Sequence, residues 1–179
     1  MAVASINPLA VVYREEQNFE WWTYLLVALI EALAGSTLAW ISQSGVNPVA
    51  VAGGGLRGLA FSMIAIGAIA LPMLVVVGFL RMTTEVTPTD LRVWFGWIPT
   101  YRRFVAIGMI QKIEVVSYRP ILDHGGWGIR SGRDGERVLN ARGNRGVRLE
   151  LIDGTRLLIG SQRPEALALA IEGALRPGC

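Results

Sequence analysis

Cysteine and histidine are almost missing from this sequence. Its 179 residues hold one cysteine, Cys179, and one histidine, His124. A lone cysteine excludes an internal disulfide framework and a multi-cysteine metal site. No C-a-a-X box follows Cys179, so prenylation is not expected. A lone histidine leaves no His-rich ligand set. Neither long apolar run contains a histidine, which excludes ligation of haem or chlorophyll by His inside a membrane. No metal and no cofactor is therefore expected. Lysine is just as scarce: Lys112 stands against 16 arginines. That bias, with abundant Ala and Gly, suggests a GC-rich bacterial genome.

Charge is scarce between Trp21 and Leu80, where the apolar residues concentrate. The chain is 52% hydrophobic with a mean hydropathy of +0.42, high for a soluble globule. The pattern predicts a cytoplasmic N-terminal segment over 1–20 and a first transmembrane helix over 21–41. An extracytoplasmic loop over 42–57 and a second helix over 58–81 complete a hairpin. About twenty residues at 1.5 Å rise span one hydrocarbon core. Trp21, Trp22, Tyr24 and Trp40 sit where interfacial aromatics belong, and Pro72 predicts a kink in the second span. The loop carries Gly45, Asn47-Pro48 and Gly53-Gly54-Gly55, with Arg57 as its one charge. Arg14, Arg81, Arg92, Arg102 and Arg103 lie on the other side. The positive-inside rule then puts both termini in the cytoplasm of a bacterial inner membrane. A signal peptide is rejected, because the segment before the first span is acidic and the apolar run is full length.

Glu31 falls near the middle of the first span. A carboxylate there costs roughly 3 kcal/mol on insertion scales, so it faces protein or water. Two readings stay open: a contact to a partner, cofactor or proton path, or a protonated side chain bonded to the second helix at Ser62. Ala28, Ala32, Gly35 and Ala39 form a small-residue stripe that permits close helix approach. Glu31 borders it, which favours a helix–helix contact.

From residue 82 to 179 the pattern changes to short alternating runs. Strands are expected at 85–87, 91–95, 103–105, 113–118, 137–140, 147–151 and 156–159. Turns fall at Pro88-Thr89-Asp90 and Asp153-Gly154. Leu167, Ile171 and Leu175 make one apolar stripe on a helix begun by Pro164. The fold class is thus a membrane α-helical hairpin plus a mainly-β domain of about seven antiparallel strands, capped by one C-terminal helix.

Several residues resemble those of bacterial pleckstrin-homology-like domains in small two-span proteins of unknown function. They are Glu85-Val86-Thr87 with Leu91-Arg92-Val93, Gly126-Trp127-Gly128, Val147-Arg148-Leu149 with Asp153-Gly154-Thr155, and Pro164-Glu165. The run Tyr13-Arg14-Glu15-Glu16-Gln17 with Phe19, Trp21 and Trp22 also looks like the start of those proteins. The resemblance implies a PH-like fold and allows self-assembly. Headgroup binding at the first hairpin does not carry over, because Thr87-Pro88-Thr89-Asp90 offers an acid and no base.

No constellation here points to catalysis, and a non-enzyme is expected. Gly125-Gly126-Trp127-Gly128 lacks the ending of a phosphate loop. Asp123-His124 has no nucleophile in sight and reads as a turn. Arg81, Arg102 and Arg103 are candidate contacts for anionic lipid, without specificity. Arg130, Arg133, Arg142 and Arg145 lie in a loop-rich run that is either a partner contact or solvated surface. Trp127 is the only aromatic near that run, so no stacking platform for nucleic acid exists. The expectation is a membrane-anchored interaction module, an accessory or assembly subunit of a larger complex. The alternatives are a self-oligomerising scaffold and a transport or enzyme component using Glu31.

Overall fold

The computed structural model describes residues 10–44, 55–132 and 135–176, apart from some side chains within the apolar helices. Most of the expected 42–57 loop, and Arg133, lie outside the described residues. The chain divides into two units. One joins the N-terminal strand to the chain from Phe79 onward; the other is Glu20–Gly78.

The apolar unit holds α1 (Trp21–Gln43) and α2 (Gly55–Phe79). Trp21–Ile41 of α1 is long and apolar enough to cross a membrane. Pro72 lies inside α2, and the helix continues through it.

The other unit is built of two sheets and a C-terminal helix. Sheet A runs β1 (Tyr13–Asn18), β2 (Arg81–Val86), β3 (Asp90–Phe95), β4 (Tyr101–Ala106), antiparallel throughout. A 3-10 turn, Ile107–Met109, leads into sheet B. Its strands are β5 (Ile110–Ser117), β6 (Gly128–Ser131), β7 (Arg137–Asn140), β8 (Arg145–Leu151) and β9 (Arg156–Gly160). Their spatial order is β5-β8-β9-β7-β6, with β7 and β9 parallel. The short helix α3 (Pro120–His124) joins β5 to β6, and α4 (Pro164–Leu175) closes the chain.

Alternation builds the core. Met82, Leu91, Val93, Phe95 and Val105 point inward from sheet A; Leu139, Val147, Leu149, Leu157 and Ile159 do so from sheet B. Leu167, Ala168 and Ile171 of α4 join that cluster. The helix therefore sits on the stripe that its i, i+4 spacing lays down. Two turns form as their residues dictate. Thr87 Oγ1 accepts from the Asp90 N–H at 2.9 Å, and Gly154 takes a left-handed φ of 80° beside the Asp153 carboxylate.

Three expectations need correction. The domain does not start at 82: strand β1, placed in a separate N-terminal segment, is an edge strand of sheet A. The described strands number nine rather than about seven, and one pair is parallel. Asp123-His124 is not a bare turn but the end of α3, capped by Gly125 at φ 71°.

Candidate functional site

Cross-strand neighbours share a face, so the registers define the outer surface of sheet A. One row reads Arg14, Glu85, Arg92, Phe104; the next reads Glu16, Thr83, Trp94, Arg102. Arg14 donates to Glu16 at 2.6 Å and to the buried Glu85 at 2.9 Å. Arg81 also pairs with Glu16. The Arg14 and Arg81 guanidinium groups hold the Glu16 carboxyl below its ordinary range. The β4 side of this face is open: Phe104 is 58% exposed, and Arg92 lies 6.0 Å from its ring centre. A groove of about 240 Å³ runs between Glu85, Arg92, Trp94, Pro99, Arg102 and Phe104.

The inner side of β1 is polar, yet it is buried. Glu15 is 6% exposed and Gln17 2%. The Glu15 carboxylate accepts from Tyr13 Oη at 2.7 Å, Ser161 Oγ at 2.6 Å and the Gln162 N–H at 2.8 Å. Gln17 Nε2 donates to the Gly160 carbonyl at 2.9 Å. These bonds clasp the strand before α1 to the segment after β9. Burial first, then the bond to Glu15, pushes the Tyr13 phenol up to about 12.

The outer face of sheet B carries a polar cleft of about 470 Å³. Glu114, Asp123, Glu136 and Glu150 face Arg148 and Arg156 in its lining. The cleft is thus acidic within a basic domain. Arg148 donates to the buried Glu136 at 2.6 Å, and Asp123 is occupied by the Arg119 N–H at 2.8 Å. That backbone bond chiefly keeps the Asp123 carboxyl below its ordinary range. Tyr118 is buried with His124 edge-on at 5.7 Å. Burial raises the Tyr118 phenol, and the neighbouring Asn140 amide pulls the other way; Tyr118 Oη and Asn140 Nδ2 have no hydrogen-bond partner among the described residues. Ser117 and His124 both line the cleft, yet among the described residues no hydrogen bond links them, and His124 Nδ1 has no partner. A nucleophile needs a base in reach and an oriented base. Neither relation is present here.

The residues singled out in the sequence are scattered rather than gathered. Glu31 lies half-buried in α1 with Oε1 unpartnered, and Ser62 falls outside the described side chains. Ala28, Ala32, Gly35 and Ala39 are exposed, and a Cβ added at Gly35 would meet nothing within 4 Å. Arg81 is taken up by Glu16 and by the Trp97 ring, 4.5 Å away. Arg102 is exposed on the groove, while Arg103 is half-buried on the opposite face. Arg130 donates to the Trp127 carbonyl at 3.2 Å, and Arg145 pairs with Glu165 at the start of α4. Arg142 is exposed.

Three features escaped the sequence reading: the β1 clasp, the acidic cleft and the aromatic groove. The alternation of Tyr13, Glu15 and Gln17 against Arg14 and Glu16 was the available signal for the first. The other two arise only when register brings distant strands together. Comparison with known proteins adds no assignment: no family model and no curated protein matches the chain.

Proposed function

We propose that the protein is a non-catalytic, membrane-anchored interaction module, an accessory subunit of a larger complex in a bacterial inner membrane. The observation that carries this reading is the open face of sheet A, where exposed Phe104 stands with Trp94, Arg92 and Arg102 around a groove. Aromatic and arginine side chains dominate the energetics of protein interfaces. A PH-like identity for the β unit remains part of this proposal; the arrangement of two sheets with a helix against them supports it.

The anchoring has a topological argument. Asn18 pairs with Arg81, so the chain before α1 and the chain after α2 lie on one side of any membrane. If α1 crosses, the chain must return before β2. The 25-residue α2, ending at Phe79, is the element that precedes β2. This supports a two-span hairpin, and the arginine distribution favours β1 and the β unit on the cytoplasmic side.

The test is purification in mild detergent from cells expressing the protein at native level, followed by mass spectrometry. Defined partner subunits should co-purify in fixed ratio. A Phe104→Ser, Arg102→Glu variant should lose them while keeping the far-UV spectrum. Recovery of the wild-type protein alone, as a monomer, overturns the proposal.

A further inference from the structure

The turn between β3 and β4 is apolar and open. Trp97 is 69% exposed and Ile98 70%. Such a pair costs free energy in water, and a turn built of polar residues would avoid it. The turn is also well defined. Gly96 adopts a φ of 92°, a conformation that a side chain disfavours, and its N–H donates to the Arg81 carbonyl at 2.7 Å. The Arg81 guanidinium lies 4.5 Å over the Trp97 ring while Glu16 holds its charge. Arg81 therefore orients the indole and is not itself free for a ligand.

The position of this turn follows from register. Asn18 pairs with Arg81, Met82 with Phe95, and Phe95 with Tyr101. The last residue of β1, the first of β2 and the β3–β4 turn thus share one end of sheet A. Only Phe19 and Glu20 separate β1 from α1, and only Leu80 separates α2 from β2. The three steps from Asn18 to Trp21 reach about 11 Å at most. The end of the sheet that carries Trp97 and Ile98 is therefore tethered where the apolar helices begin and end. The Thr87–Asp90 turn lies at the other end of β2, roughly 17 Å away at about 3.3 Å per residue.

We infer that Trp97 and Ile98 insert into the headgroup layer of the bilayer that α1 crosses. Tryptophan favours that depth because its ring is apolar and its N–H polar. The turn is then a third attachment point, which limits rotation of the β unit about its two helix links. This rests on the membrane-anchored reading above, and the test separates the two.

The protein is labelled with an environment-sensitive fluorophore at Ile98→Cys in a Cys179→Ser background. It is reconstituted in vesicles of phosphatidylcholine and phosphatidylglycerol. Parallel samples carry the label at Thr89→Cys, on the distal turn, and at Gly35→Cys, within α1. The expected result at residue 98 is a blue-shifted emission, quenching by lipids spin-labelled near the headgroup, and loss of quenching by aqueous iodide. At residue 89 iodide should quench fully. At residue 35 lipids spin-labelled deep in the chain should quench. If residue 35 is quenched by deep labels and residue 98 only by iodide, the turn anchor is wrong and the membrane reading survives. If residue 35 is not quenched by lipid, both fail. Protection of residue 98 from iodide without lipid quenching means protein covers the turn, which also overturns the inference.

Discussion

Replacing Glu15 with alanine should release strand β1 from the β unit. The carboxylate is buried and accepts three hydrogen bonds, two of them from the far side of the chain at Ser161 and Gln162. Ser161 is buried, so its hydroxyl loses an acceptor that water cannot fully replace, at about 1–3 kcal/mol. The Gln162 N–H, beside an exposed side chain, adds about 1 kcal/mol. A loss of about 3 kcal/mol is expected, which converts to roughly a hundredfold faster opening of the strand. Amide hydrogen exchange of the full chain in detergent reads this directly, because β1 opens as a local unit. Glu16→Ala, which removes only exposed ion pairs on the other face, should change far less. The same clasp has an alkaline limit. The folded Tyr13 phenol sits near 12 against 10 in the unfolded chain, so the neutral form is favoured in the fold. That contribution is complete below pH 10 and is lost as pH rises from 10 through 12. Tyr13→Phe should abolish the step. Wild-type exchange of β1 amides in Glu15→Ala would refute the clasp, whatever happens to the rest of the sheet.

Two further substitutions probe sheet B. Gly160→Ala places a Cβ 2.8 Å from Asn140 Cβ and 2.9 Å from Tyr118 Oη, so it should destabilise the β unit by about 1–3 kcal/mol, measured by thermal unfolding. Arg148→Met leaves Glu136 buried without its cation and should cost about 2 kcal/mol; adding Glu136→Gln should restore most of it in a double-mutant cycle.

The elements that were legible in the sequence are those whose burial is apolar. Leu167 and Ile171 declared α4 through their spacing, and Val147, Leu149 and Leu151 declared β8 through theirs. Strand β1 stayed hidden because its buried positions are Glu15 and Gln17. Periodicity of hydrophobicity cannot register a strand whose inward residues are polar. The parallel pairing of β7 with β9 was equally closed to inspection. The Asp153-Gly154 hairpin fixes β8 against β9, but the neighbour on β9's other edge depends on the whole sheet.

The basic run from Arg130 to Arg148 shows the same limit at the level of the site. Read linearly, it is either a partner contact or solvated surface. In the fold, two of its members are taken up by acids: Glu136, within the same run, takes Arg148, and Glu165 of α4 takes Arg145. Among the described arginines of the run, Arg148 alone lines the acidic cleft, while Arg130 and Arg142 are exposed. The aromatic pair on the groove is the converse case. Trp94 and Phe104 are ten residues apart, with nothing in either segment to connect them. Antiparallel register sets Phe104 opposite Arg92 and Trp94 opposite Arg102, interleaving two rings with two guanidinium groups on one face. A surface that mixes aromatics with arginine in this way is suited to holding a partner rather than to repelling one. The open face of sheet A, rather than the basic run, is therefore where loss of binding should be sought first.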